Sequence, residues 1–563
     1  MKFRLTSCIV FLSIGFALFG VHYFSRLWPI LSLSIAIGAV ALIVASYNLG
    51  ASNAWLVGAC SLMFAHTSIA LLYPETLTNI DPDGYAVWVN QVLNSGDITQ
   101  AETRTYSTLP MFLLLISSVS LVGELFPRSA FIAIPIFISI IVPLFTAWFT
   151  SRLIGCSKTD WPAVPAALLT TVATMNVAFG HQPIAMTIGY LLLLIGFIIS
   201  TRFYLVQDRA DIIIFTLLVA GIALAHRFTI LLLALVVSTQ AIYHTASGSS
   251  TRISRDLFLL PTIGFAFLAL QWAFITTSLN VAVYQILNIF AETGTQISVD
   301  QLATGSSRPV IESRVLGIVA RRVHGIVLIP LAGLAWLYFA LSRQNDSQSR
   351  IGLTLAIAAV IGAFLPLSIV YPDELNFTRS IVITEPVLIG LAMGAGWVLW
   401  TKAKQQSIHI QRVAQCTILL LSLLIIVTQI GSAPIAADHP ADYRGYLESD
   451  EVSAKMWGHA YAGSNISADP FFAQEKPQPH AHVDSQGEIN QEYSSRYDQM
   501  LEPFTNRSIT SSCPEAVLYR DLKVYRSPRA QVLQWNPETT LDTAYNRQYD
   551  NGKVQFFSNP RCL

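Results

Sequence analysis

Apolar runs long enough to cross a lipid bilayer recur through most of this chain. They lie at about 6–24, 29–47, 54–72, 108–125, 129–150, 161–179, 183–203, 211–225, 228–243, 257–278, 323–341, 351–370, 381–401 and 415–431. At about 1.5 Å per residue, runs of roughly 15–22 residues reach across most or all of a hydrocarbon core about 30 Å thick. Continuous runs of this length read as helices, which satisfy every backbone N–H and C=O within the segment. Only 12% of the 563 residues are charged and 53% are hydrophobic, with a mean hydropathy of +0.52. Soluble domains carry about twice that share of charge. A soluble enzyme, a nucleic-acid binder and a disordered scaffold are thereby excluded. The expected fold is an all-α polytopic membrane protein with about 13 transmembrane helices and a small α+β extracytoplasmic C-terminal domain.

Acidic and basic residues balance at 34 each, but not along the chain. Residues 432–563 hold 17 acidic and 12 basic side chains, a net of −5, which leaves the preceding part at +5. The first apolar run follows Lys2 and Arg4 like a signal peptide, yet no small-residue cleavage site ends it, so an uncleaved span is expected. Short loops bearing Lys402, Lys404 and Arg412, Arg343 and Arg350, Arg252 and Arg255, and Arg202 and Arg209 fall on one side if the runs alternate. Excess Lys and Arg marks that side as cytoplasmic and places loops 73–107 and 279–322 and the acidic tail outside. Fourteen runs and opposite termini conflict in parity. The segment near 108–128, bounded by Pro110, Gly123, Glu124 and Pro127, is the expected incomplete span.

The membrane domain is assigned to 1–431 and the external domain to 432–563. In the latter, alternating residues Val517 to Tyr525 and Val554 to Phe557 read as strands, and Asp550-Asn551-Gly552 as the turn between two of them. Cys513 and Cys562 both fall there, and an oxidising compartment would permit a disulfide. No metal-binding Cys/His spacing and no internal repeat is visible.

Loop 73–107 carries the most chemistry. Asp81 and Asp83 flank Pro82, which fixes one backbone angle and biases Asp81 toward an extended conformation. An amphipathic helix follows from about Tyr85 to Leu93, with Trp88, Val89 and Val92 on its apolar side. Two carboxylates so close can hold a divalent cation, or one can take a proton from an attacking hydroxyl while the other tunes it. An ordinary Asp-Pro-Asp-Gly surface turn explains the same residues without chemistry.

An external loop reading Asp81-x-x-x-Tyr85, a helix ending in Ser95-Gly96-Asp97, and Tyr106-Ser107-Thr108-Leu109-Pro110 entering the next run resembles the GT-C superfamily of membrane glycosyltransferases. The resemblance is specific to this loop and loose over the membrane body. It implies many spans, a polyprenyl- or dolichyl-phosphate sugar donor, and an acid early in the first external loop as catalytic base. Asp81 best matches that position, Asp83 is next, and Tyr85 and Tyr106 belong to the matching segments. The sequence departs from the family in having three spans before the loop instead of one. The tail resembles external domains of prokaryotic members, archaeal ones especially.

Other polar residues suit a lipid-phosphate site. His226-Arg227 sits between two short runs, Arg379 follows Asp373 and Glu374 before another, and His181-Gln182-Pro183 opens a third. A guanidinium can bind phosphate bidentately, and ionisable groups beside a span are costly enough to suggest a role. Interfacial snorkelling, an ion pair of Arg379 with Asp373 or Glu374, and a proline-started helix are the structural explanations.

The expected function is transfer of sugar from a polyprenyl-phosphate donor to a glycan, lipid or protein acceptor on the external face of the cell membrane. No cofactor or metal is required, though Asp81 and Asp83 permit a divalent cation. The partners are the lipid donor, the acceptor and membrane lipid, with no nucleic acid. Two rival readings remain at this stage, a flippase for a lipid-linked glycan and a non-catalytic membrane scaffold.

Overall fold

The computed structural model describes residues 1–24, 30–74, 77, 80–100, 108–246, 256–276, 278–280, 283, 315–341, 377–406, 408–410, 412–414, 420, 422–426, 447–461, 466–469, 472–473, 497–500, 502–505, 507–520, 523–526, 529–532 and 535–559. Tyr106, most of loop 279–322 and the runs 351–370 and 415–419 lie outside the described residues.

Within the described residues the apolar runs fold as helices, joined by the amphipathic α4. They are α1 (Lys2–Phe24), α2 (Ile30–Leu49), α3 (Asn53–Leu72), α4 (Ile80–Ser95), α5 (Met111–Gly123), α6 (Pro127–Ala130), α7 (Ala133–Ile154), α8 (Ala163–Thr170), α9 (Thr174–His181), α10 (Ala185–Val206), α11 (Arg209–Ala225), α12 (Thr229–Ala246), α13 (Leu259–Leu270), α14 (Val315–Leu341) and α15 (Phe377–Ala403). Among the described residues, α1, α2, α3, the α6–α7 stretch, α10, α12 and α15 are long and apolar enough to cross a membrane. This is a multi-pass membrane protein. Trp55, Phe112, Phe131, Phe145, Phe149, Tyr190, Phe215 and Phe228 are fully buried between the helices, while α1 turns Phe11, Phe16 and Phe19 outward.

Several expectations need correction. Asp81 is not extended, because α4 begins at Ile80 and includes Asp81, Pro82 and Asp83 in its first turn. A proline there sacrifices no intrahelical bond, and carboxylates are favoured by the helix dipole. Arg321 and Arg322 belong to α14 and not to loop 279–322, and Arg379 lies in the first turn of α15. The run 161–179 is not one helix. It is α8 and α9, eight residues each, interrupted at 171–173.

The suspected segment is indeed short. Pro110 caps the start of α5, Glu124 ends it in the left-handed region with φ 49°, and Pro127 starts α6. Thirteen residues reach only about 20 Å, well short of a hydrocarbon core.

Beyond the membrane helices, α16 (Ser449–Tyr461) packs on a five-stranded sheet ordered β2-β1-β3-β7-β6. The strands are β1 (Ile466–Ala468), β2 (Tyr497–Gln499), β3 (Ala516–Arg520), β6 (Asn546–Asp550) and β7 (Val554–Ser558), with β4 (Lys523–Arg526) and β5 (Arg529–Val532) in a separate hairpin. β1 pairs parallel with β2 and β3; β3–β7 and β7–β6 are antiparallel. Helix α17 (Pro537–Ala544) precedes β6, and Gly552, at φ 85°, makes the expected turn into β7.

Arg520 is buried in this region with Glu451 Oε1 at 2.8 Å and Asp469 Oδ2 at 2.8 Å, while Lys455 donates to the Phe472 carbonyl. Cys513 is disulfide-bonded. Cys8, Cys60 and Cys156 are free thiols, which leaves Cys416 or Cys562, both outside the described residues, as its partner. Ala516 pairs with Ser558, and Asn559 N–H donates to Glu515 O at 2.9 Å, so β7 leads the chain back toward Cys513.

Candidate functional site

Charge separates the two ends of the helical body. Lys2 Nζ donates to Gly50 O (3.4 Å) and Ala51 O (2.9 Å), tying the start of α1 to the α2–α3 turn. Trp161, in the α7–α8 turn, packs on Tyr47 near the end of α2 and on Trp397 near the end of α15. Lys402 lies 4.9 Å from the Tyr338 ring near the end of α14. This end therefore collects Lys2, Arg4, Arg152, Lys158, Lys402 and Lys404. At the opposite end, Tyr73 closes α3 and donates to Val21 O at 3.2 Å. Burial raises the pKa of the Tyr73 hydroxyl, and the negative charge of Glu448 raises it further. Glu448 immediately precedes α16, so the sheet-bearing region meets the body at this end.

Helix α4 belongs to the same end. Its residues Tyr85, Ala86, Val89, Asn90 and Val92 are buried. The Tyr85 ring packs edge-on against Trp88 (5.2 Å between centroids) and Phe112 (4.8 Å). Phe112 continues the contact to Phe131. Tyr85 is thus a wedge joining α4 to α5. For Asp81 and Asp83 the description extends to the backbone. Positions two apart stand about 200° around a helix and do not face each other. Both acids lie in the first turn of α4. Among the described residues, no group of three or more His, Cys, Asp or Glu side chains could hold a metal ion.

The His226-Arg227 turn links α11 to α12. His226 is extended (φ −157°, ψ 130°), ends α11 with its N–H on Ile222 O, and pairs Nδ1 with Thr229 Oγ1 at 2.9 Å. Arg227 Cζ stands 4.8 Å from the Phe228 ring centroid. After α13 the chain makes one π-turn, Gln271–Ile275, a rare form often found at functional sites. It presents Gln271 Nε2 to Ala223 O at 2.5 Å and Trp272 Nε1 to Arg227 O at 2.9 Å, fixing the turn from both sides. Gly189 of α10 permits the approach from a third. A Cβ there would stand 2.7 Å from Thr229 Oγ1 and 2.9 Å from His226 Cβ.

Contacts connect these pieces. A Cβ on Gly221, four residues from the end of α11, would lie 3.7 Å from Met111 of α5. Gly180, beside His181 at the end of α9, abuts Thr67 near the end of α3. The first turn of α4, the His226-Arg227 turn and the α9–α10 turn thus share the end opposite the basic one. Arg379 opens α15, which runs from this end to Lys402. For His181 and Arg379 only the backbone is described.

The structure adds residues that sequence reasoning missed. The α8–α9 break is closed by side chains from distant helices. His66 Nδ1–H donates to Thr171 O at 2.7 Å, and Ser32 Oγ lies 3.2 Å from His66 Nε2. Glu385 of α15, fully buried, accepts at Oε2 from Asn176 N–H (3.0 Å) and Asn176 Nδ2 (2.8 Å), while Tyr190 OH donates to Asn176 Oδ1 at 2.7 Å. The sequence signal for Glu385 was a lone acid inside an apolar run, Ile383-Thr384-Glu385-Pro386. Arg128 is a second omission: it is 7% exposed, on α6, which packs against α4.

The chain matches no known protein-family profile and no curated protein sequence. Among solved structures it is similar to the oligosaccharyltransferase of Archaeoglobus fulgidus, 12% identical over 88% of this chain and 70% of that one, with a TM-score of 0.48. It is also similar to the arabinofuranosyltransferase AftD from mycobacteria (11% identity, 90% of this chain, 41% of that one, TM-score 0.44). A third similar structure is ArnT from Cupriavidus metallidurans bound to undecaprenyl phosphate (11%, 90%, 98%, TM-score 0.36).

Proposed function

We propose that this protein is a membrane glycosyltransferase that moves a sugar from a polyprenyl-phosphate donor to an acceptor at the end of the body opposite its basic face. The single observation that carries the reading is the shared location of the acid-bearing first turn of α4 and the tightly buttressed His226-Arg227 turn. It does not rest on the similar structures, with whose named activities it agrees in kind.

The basic face is cytoplasmic by the excess of Lys and Arg, which puts the site and the sheet-bearing region outside. A disulfide at Cys513 fits an oxidising exterior. Asp81, with Asp83 as the alternative, takes the proton of the acceptor hydroxyl. The oxygen then attacks the anomeric carbon, and the bond from that carbon to the donor phosphate oxygen breaks. The leaving lipid phosphate keeps the electron pair and is already a good leaving group. Arg227 and Arg379, with His181, His226 and Tyr106, hold the phosphate and stabilise its charge in a water-poor setting. Tyr85 acts by seating α4 on α5. A divalent cation is compatible with this scheme but has no required step; the A. fulgidus oligosaccharyltransferase was also crystallised with Zn and sulfate.

The broken α8–α9 segment favours a second reading, transport, because discontinuous helices often form substrate sites in transporters. Here, however, the chain's own Glu385 and His66 occupy the broken ends.

The test is transfer of labelled sugar from a polyprenyl-phosphate donor in membranes containing the wild type, Asp81→Asn or Asp83→Asn at equal abundance. Loss of the base lowers transfer by about 100-fold or more. Transfer surviving in Asp81→Asn but lost in Asp83→Asn moves the base by two residues. Labelled lipid crossing the bilayer unchanged would replace the transferase with a flippase.

A further inference from the structure

We infer that Glu385 is a positioning residue for the lipid-phosphate site, a buried lock that holds the outer part of α15 against α9. The inference rests on the phosphate site proposed above.

A carboxylate with no exposed surface inside a helical membrane body is costly unless hydrogen-bonded. Glu385 accepts two bonds at one oxygen, both from Asn176, the third residue of α9. One comes from a backbone N–H that the break in α8–α9 leaves without an intrahelical partner, where the helix dipole also favours negative charge. The second comes from the Asn176 amide, whose oxygen Tyr190 of α10 holds in turn. The lock therefore joins α15, α9 and α10 at one point.

Its position gives it leverage. On the cytoplasmic side of Glu385, α15 is already pinned to α7. A Cβ on Gly390 would come within 2.6 Å of Phe149 Cδ1, and one on Gly394 within 3.0 Å of Leu153 Cδ2. Toward the outer end, Glu385–Asn176 is a polar tie between α15 and α9. Arg379 lies six residues outward from Glu385, and His181 five residues outward from Asn176. At about 1.5 Å per residue these are about 9 and 8 Å along the two helix axes. One tie thus fixes the backbone that leads to Arg379 against the backbone that leads to His181. A residue needed only for packing would be apolar at this depth and would leave that relation unset.

The test measures binding of undecaprenyl phosphate to the purified full-length protein in detergent, together with the donor KM and kcat of transfer. Glu385→Ala is expected to weaken undecaprenyl phosphate binding and raise the donor KM at least fivefold, with kcat within twofold. Glu385→Gln keeps one oxygen that can accept both Asn176 bonds, and should restore both values to within twofold of wild type. Tyr190→Phe, which removes only the bond to Asn176 Oδ1, should shift them at least twofold; it serves as the deciding variant if Glu385→Ala fails to accumulate. Unchanged binding in a folded Glu385→Ala or, in its place, Tyr190→Phe overturns the inference and leaves the transferase reading intact. A wild type that binds undecaprenyl phosphate but transfers nothing overturns the transferase alone. A wild type that does not bind it overturns the lock.

Discussion

The helical body and the sheet-bearing C-terminal region both bury carboxylates, and they do so by different means. In the C-terminal region Arg520 faces Glu451 and Asp469, so charge is met by charge. In the body Glu385 is met by a backbone N–H and an amide at the start of a short helix. The contrast follows from what each setting supplies. Glu451 and Asp469 each accept one backbone N–H as well, but the guanidinium bridges them, whereas a broken membrane helix exposes orphan N–H and C=O groups that must find partners where water is absent. Buried charge pairs hold a local core together. Dipole-capped breaks fix one helix against another.

The most severe way to break this comparison is Arg520→Met, which strands two buried acids. It should destabilise the C-terminal region by about 3–5 kcal/mol, read as lost protease resistance of that region in the full-length protein across a urea series. Replacing Arg520, Glu451 and Asp469 together by apolar residues of similar volume should recover most of that stability. If the triple variant is as weak as the single, charge pairing is not the relevant difference. In the body, His66→Leu leaves the Thr171 carbonyl without its imidazole donor and should cost about 1–3 kcal/mol, measured by thermal unfolding in detergent. Gly189→Ala forces a Cβ onto the His226-Arg227 turn; a loss of about 1–2 kcal/mol with reduced sugar transfer is expected. Full transfer in that variant would show that the turn tolerates displacement.

The smallest effect sharpens the comparison through pH. The Gly552 N–H, followed by Arg547, holds the Asp550 carboxyl below the usual range. A folded pKa below the unfolded one stabilises above the unfolded value, and that contribution is lost as pH falls through the folded one. Asp550→Asn should therefore weaken the region at neutral pH by under about 0.5 kcal/mol, because the site is exposed, and have no effect in strong acid.

What could be read from the sequence was local. Leu, Ile, Val and Phe runs located the membrane helices. Asp550-Asn551-Gly552 located a real turn between β6 and β7, and Pro110, Gly123, Glu124 and Pro127 marked the short α5. The carboxylates of loop 73–107 were found, but Pro82 was assigned to an extended lip when it sits in a helical first turn, where it does no harm. The α8–α9 break escaped notice because residues 170–174, Thr-Thr-Val-Ala-Thr, contain neither Gly nor Pro. It is stabilised by His66 and Glu385, 105 and 209 residues from their partners, and no local pattern reports contacts at that range. Strands β1 and β2 were hidden for the same reason, as was the parallel pairing of β1 with β3, although β3 itself lies in the 517–525 stretch that reads as strand.

The separation of 209 residues between Asn176 and Glu385 also orders the protein's synthesis. At about 5–20 residues per second, roughly 10–40 seconds pass between translation of α9 and translation of its cap. During that interval segment 163–181 stands in the nascent chain as an unfinished span. The body can close around it only once α15 has followed it into the membrane.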